Sequence, residues 1–494
     1  MDVWWIVAIS VVVVLASILV FRLHAFLTLL LAGLLVAVLT GAPALQDYAN
    51  KEVAKEKFTA KDAKTFVESK PATRLTYAFG ETAGKIGVLI ALASVIGQCL
   101  LESGAARTIV DRMLKLVGPR RAPEALAASS FVLGIPVFFD TVFYLMVPLA
   151  RSLRVRLGKN YVLFILAILA GGSLAHSLIP PTPGPLLVAQ EFNVDIGVML
   201  IAGLAVGGCS SVVALIAARI IDRFVYVPLR FTADGEAIPA TPENDAAEKE
   251  RLASFDPDSV QPQEHGNAPG FMESLLPILA PVVMITVGSV LTYLVKSKSI
   301  ESNTITDIFL MIGDKNIALA VGVVFALAMT RFIDSDKRKS LVSRSLASAG
   351  NIILITAAGG AFGAMLRQAG IGPAVEQLVT DGTGTSLLLL AFGVTVAIRT
   401  LQGSATVAMI TAAGVLGGLA EVGNLPFHPV YLCMAIGAGS KPVSWMTDSA
   451  FWVITKMSGM TEAEGLKTLP AMSTSMGVAA LVFTILFAKL IPGV

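Results

Sequence analysis

At 494 residues, 55% of them hydrophobic and only 15% charged, with a mean hydropathy of +0.76, the chain has too much apolar surface for a water-soluble protein and reads as a polytopic membrane protein. Its net charge of +2 comes from Lys and Arg gathered in loops, as membrane topology requires, which excludes a basic nucleic-acid face. Cys99, Cys209 and Cys433 lie in apolar runs without metal-ligand or disulfide spacing, and there is no Walker A motif, no strand followed by G-x-G-x-x-G and no H-E-x-x-H, so no ATP-driven transport, no cofactor and no enzyme activity are expected.

The first apolar run, from Val3 to Val20, lacks a basic leader and a small-residue cleavage site, and reads as a retained helix. Helix 2 covers about 25 to 40, and the charged turn between them places the N-terminus outside. Residues 44 to 74 form an external mixed-charge loop or amphipathic helix, and a third helix covers about 82 to 101. Residues 129 to 149 are apolar but interrupted by Gly134, Pro136 and Asp140. Gly and Pro free backbone groups that hydrocarbon cannot satisfy, and Asp at the bilayer centre costs roughly 3 kcal/mol, so such a stretch must be buried in protein or face water. Basic residues flank it on both sides, from Arg107 to Arg121 and from Arg151 to Lys159, so both ends read as cytoplasmic and the segment as a re-entrant hairpin. Residues 160 to 192 cross the membrane through a break at 176 to 185, because four prolines in six residues cannot continue a helix. Helix 5, about 196 to 218, leads to a polar cytoplasmic linker that cannot bury a core.

The pattern then repeats: helices at about 273 to 295, 316 to 332 and 348 to 366, a run broken at 399 to 404, a second interrupted helix and a last helix at about 470 to 490. A shift of 266 residues superposes Ala83, Gly84, Ile86, Ala91, Gly97, Leu100 and Gly104 on Ala349, Gly350, Ile352, Ala357, Gly363, Leu366 and Gly370. The expected fold is all-α, with about ten spans, two re-entrant hairpins and two interrupted helices in two repeats: residues 1–220, a linker 221–270, and an inverted copy at 271–494. Paired broken helices at the interface of inverted repeats are a mark of secondary transporters with a site near the bilayer midplane.

Four breaks should converge on that site. They contribute Gly134, Pro136 and Thr141; Ser177 and Thr182; Arg399, Gln402, Gly403, Ser404 and Thr406; and Ser440, Lys441, Ser444 and Ser449 as substrate-binding candidates. Half-helix N-termini at such breaks suit a carboxylate. Asp140 and Asp448 each precede an apolar half-helix and read either as N-caps or as proton carriers, roles that one carboxylate can combine. His176 reads as a proton relay or as a packed, hydrogen-bonded residue. Arg399 follows an uncharged run and reads as a snorkelling residue or, preferred, as the bidentate partner of a substrate carboxylate, since no acid lies nearby in sequence except Asp381. Lys441 is a second cation for the site, or the neutraliser of Asp448.

At these residues the chain resembles the gluconate permease (GntP) family of proton-coupled sugar-acid symporters, within the wider ion-transporter superfamily. The similarity is carried by Gly134 to Asp140, by His176 with the prolines at 180, 181, 183 and 185, by Gln402 to Ala408, by Gly437 to Ser440 and by Asp448 with Phe451 and Trp452. Thr182, the stretch from Ser444 to Thr447, and Lys441 with Pro442 depart from the family's pattern. The resemblance implies import of a small monocarboxylate, gluconate or a related sugar acid, with protons across a bacterial inner membrane, by elevator motion of a domain in what is commonly a homodimer. The rival readings are a cation/proton antiporter on the same scaffold and the membrane subunit of a binding-protein-dependent system.

Overall fold

The computed structural model describes residues 3–19, 21, 23–54, 57–118, 121–157, 160–230, 241–253, 268–296, 300, 303–371, 384–421, 425–445 and 448–493. All the secondary structure among them is helical. The first half contains α1 (Val3–Leu19), α2 (Ala25–Leu39), α3 (Ala42–Ala54), α4 (Ala60–Glu68), α5 (Pro71–Glu102), α6 (Ala105–Val117), α7 (Ala122–Leu133), α8 (Phe139–Leu157), α9 (Tyr161–Leu178), α10 (Pro183–Glu191) and α11 (Ile196–Phe224). After the linker helix α12 (Pro242–Ala253) come α13 (Phe271–Lys296), α14 (Thr304–Ile312), α15 (Lys315–Ala328), α16 (Ser335–Gln368), α17 (Gly384–Gln402), α18 (Ala405–Leu416), α19 (Val430–Gly439), α20 (Ser449–Ser458) and α21 (Glu462–Leu490).

The interrupted helices form the centre. All of α19 is buried, as are nearly all of α9 and α10, which is why these helices are apolar on every face rather than along one stripe. Around them α5 lies along α16, α7 and α11 flank α9, and α11 packs on α21. The helices α13, α15 and α17 are the least buried of the long apolar helices and form the periphery. Phe139 and Ala405, Pro183 and Ser449, and Ile196 and Glu462 begin matching helices and are each 266 residues apart.

Several boundaries differ from the hydropathy reading. The loop at 44 to 74 folds as α3 and α4, the second opened by a capping box between Thr59 and Asp62. Helix α5 starts at Pro71 rather than near 82, with Arg74 buried and donating to Ala37 O (2.9 Å) and Ser69 O (2.8 Å). Part of the polar linker is the helix α12; residues 231–240 and 254–267 lie outside the described residues, as does Asp381. The residue-220 boundary falls within α11. Among the described residues eight helices are long and apolar enough to cross a membrane, and up to nine if the bent pair α2 and α3 counts as one span. The expectation of about ten spans also counted α1, at 17 residues, and the broken pair α19 and α20, which are shorter, whereas the hairpin limb α17 is itself long enough.

Candidate functional site

Each break has a local cause. Helix α9 stops at Leu178 because the prolines that follow cannot donate, and α10 resumes with Pro183 in its first turn. Helix α17 ends at Gln402, and Gly403 turns the chain at φ 84, a conformation that glycine adopts without cost. Ser404 then caps α18, its Oγ accepting from Val407 N–H (3.3 Å). Past α19, Val443 sits at φ 56, a strained position for a β-branched residue. Two bonds to α21 hold that turn, from Val443 N–H to Thr474 Oγ1 (3.3 Å) and from Ser444 N–H to Ser473 Oγ (3.0 Å).

These turns assemble a polar cluster in the apolar centre. Arg399, still helical in the last turn of α17, donates to the carbonyls of Gly403 and Ser440 (3.0 Å for the latter) and forms an ion pair with Asp448, both side chains being about 95% buried. Asp448 is the N-cap of α20: its Oδ1 accepts from Ala450 N–H (2.9 Å), and its Oδ2 accepts from the Ser444 hydroxyl as well as from Arg399. The preferred reading of Arg399 as the free partner of a substrate carboxylate thus meets a guanidinium already engaged within the fold, by an acid 49 residues away. Lys441 does not neutralise Asp448 by contact. Its ammonium, equally buried, donates instead to Ser173 O and Ser173 Oγ, both at 2.9 Å, and has no carboxylate within ion-pair distance among the described residues.

Lys441 lies within electrostatic reach of Arg399, Asp448 and His176, and Asp140 within reach of Asp448. Asp140 stands exposed in the first turn of α8 and makes no hydrogen bond or ion pair among the described residues, so it is not acting as a cap. His176 packs edge-on to Phe138 (5.9 Å between ring centroids), and its buried Nδ1 has no partner among the described residues. Neither the Ser177 hydroxyl nor either end of the Gln402 amide has one.

Other candidates lie at the breaks without presenting polar groups to this cluster. The Thr182 hydroxyl turns back onto Ile179 O (2.6 Å), Gly134 packs against Gly172, and Pro136 lines an apolar cavity with Pro180, Pro181, Pro277 and Pro281. Thr141 and Thr406 sit half-buried in the opening turns of α8 and α18, and Ser449 begins α20. Sequence reasoning missed Ser173, which holds Lys441, and Trp445, whose Nε1–H donates to Thr400 O (3.0 Å). It also missed a second buried ion pair, Glu191 with Arg367, joining the ends of α10 and α16. The signal for that pair was present, since Glu191 is the sole acid between 161 and 194.

The family model described as GntP family permease matches residues 68–491. A low-affinity gluconate transporter of Escherichia coli K12 is 29% identical, covering 97% of this chain and 97% of its own. A gluconate permease of Pseudomonas aeruginosa is 30% identical, covering 95% and 93% respectively. Among solved structures, the YdaH transporter of Alcanivorax borkumensis shares the fold, with a TM-score of 0.56 at 14% identity over 88% of this chain and 90% of that one.

Proposed function

Since the chain belongs to the GntP family of permeases, and is thus a multi-pass transporter of the bacterial inner membrane, we propose that it imports a sugar acid of the gluconate type together with protons. The observation that carries this reading is Lys441, a buried ammonium held among the described residues only by Ser173, while the neighbouring Arg399 and Asp448 neutralise each other. A buried cation without an anion is costly, and a substrate carboxylate supplies the missing charge. At the same breaks, Gln402, His176 and Ser177 hold hydrogen-bonding atoms without a partner among the described residues, the complement of a hydroxylated substrate.

Charge balance gives the coupling. Asp140 stands exposed outside the buried cluster but within electrostatic reach of Asp448; counted as ionised, it and Asp448 balance the two cations Arg399 and Lys441, so an incoming carboxylate would add an uncompensated negative charge. With Asp140 protonated the cluster carries one positive charge and accepts one monoanion. Proton and substrate therefore bind together, and a proton gradient drives uptake.

The 266-residue recurrence of helix starts supports a two-repeat scaffold; we infer that the repeats are inverted and move as an elevator, and such a mover needs a fixed partner, for which a homodimer is the assembly we infer. Uptake of labelled gluconate by this chain alone in proteoliposomes tests the reading. Concentrative uptake should require an inward proton gradient. Asp140→Asn should abolish it while sparing gluconate counterflow, which needs no net proton movement. Gradient-independent accumulation, or intact driven uptake by Asp140→Asn, refutes the coupling.

A further inference from the structure

Gln402 is the last residue of α17, one position before the Gly403 carbonyl that Arg399 engages. Its side chain is only 7% exposed, and among the described residues neither Nε2 nor Oε1 has a hydrogen-bond partner. The other polar residues at this turn are engaged: Arg399 by Asp448 and two carbonyls, Ser404 by Val407, and Thr400 by both Val396 O and the Trp445 indole. An amide left bare in an apolar interior loses its hydration without regaining hydrogen bonds, a penalty the unliganded fold carries without structural return.

A carboxamide is planar, with a donor and an acceptor side by side. Its two-point complement is a pair of hydroxyls on adjacent carbons, one accepting from Nε2 and the other donating to Oε1. A lone hydroxyl satisfies one end with good geometry and leaves the other stranded, and an unsubstituted carbon chain satisfies neither. Sites whose buried polar groups need a substrate hydroxyl reject analogues that lack it far more strongly than apolar pockets reject a change of size.

We propose that Gln402 is the specificity-determining residue of this transporter, recognising a vicinal diol, so that the substrate class is the vicinally dihydroxylated monocarboxylates rather than simple hydroxy acids or amino acids. This rests on the carboxylate being held at Lys441, as argued above; the diol requirement is a separate property of the same site.

The test measures stabilisation of the purified full-length protein against heating by gluconate, by glycerate (one vicinal diol), by lactate (one hydroxyl) and by propionate, for the wild type and Gln402→Met. Wild type should bind glycerate at least tenfold more tightly than lactate. In Gln402→Met the two should become equal, with both still bound, and the melting temperature without ligand should match or exceed that of wild type because a bare amide has been removed. A purely structural role predicts the opposite, a lower melting temperature with the diol preference intact, and that result overturns the proposal. Equal binding of glycerate and lactate by wild type overturns it too while leaving the Lys441 reading standing. If no carboxylate in the series stabilises or competes, both readings fall.

Discussion

The ion pair between Arg399 and Asp448 can be separated from a substrate role by a double-mutant cycle. Both side chains are about 95% buried, so removing one partner strands the other charge in the apolar centre, a loss of about 3–5 kcal/mol. Arg399→Met leaves Asp448 with the Ala450 N–H and the Ser444 hydroxyl only. Asp448→Asn keeps the cap on α20 but leaves Arg399 facing two carbonyls with no counter-charge. In the double variant neither charge remains and the cap survives, so the expected cost is that of the lost carbonyl contacts, about 1–2 kcal/mol. The singles together should therefore exceed the double by at least about 3 kcal/mol, well above the additivity error of distant sites. The assay is denaturant unfolding of the four proteins in detergent micelles without substrate. Additive losses would refute the pair. Normal stability of Arg399→Met with gluconate affinity lost would return Arg399 to the substrate, as its sequence surroundings suggested.

Lys441→Gln should weaken gluconate binding at least tenfold, about 1.4 kcal/mol, without lowering the melting temperature of the unliganded protein, since it removes a buried cation that has no acid partner; isothermal titration set beside a thermal ramp checks both halves. Gly363→Ala would place a Cβ 2.9 Å from Gly414 Cα and 3.1 Å from Glu191 Oε2, so the crossing of α16 and α18 must open and stability should fall by about 1–3 kcal/mol in denaturant unfolding.

What was legible in the chain was what depends on neighbours in sequence. Prolines at 180 to 185 ended α9, Gly403 turned the second hairpin, and the apolar runs located α1, α2 and the start of α11 within about a residue. Helix starts were misjudged where a helix continues beyond its apolar stretch, because hydropathy marks the part suited to lipid and not the end of hydrogen bonding. Helices α16 and α21 begin at Ser335 and Glu462 rather than about 348 and 470; the Thr461 and Glu464 capping box was the readable sign of the second. The partners within the site were not legible. That Arg399 finds Asp448 and Lys441 finds Ser173 depends on how four breaks meet, and no local spacing encodes a contact across 49 or 268 residues.

The two hairpins make the same point more sharply. Their second limbs, α8 and α18, begin 266 residues apart, yet different things hold them. Helix α18 is wedged between α10 and α16 wherever a glycine lets a side chain or backbone through: Gly184 receives Met409, Gly359 receives Ile410, and Gly363 meets Gly414. The Glu191 and Arg367 ion pair lies against Gly363 and Gly417 at the end of that seam. Helix α8 rests instead on α9 and α20, and at its first turn, where α18 has half-buried Thr406, it carries the exposed and unengaged Asp140. A repeat in sequence sets where the chain turns. How firmly each turn is held follows from the glycines of that seam and one buried acid, Glu191, so the exposed carboxylate of Asp140 stands on the less wedged of two limbs that begin in register.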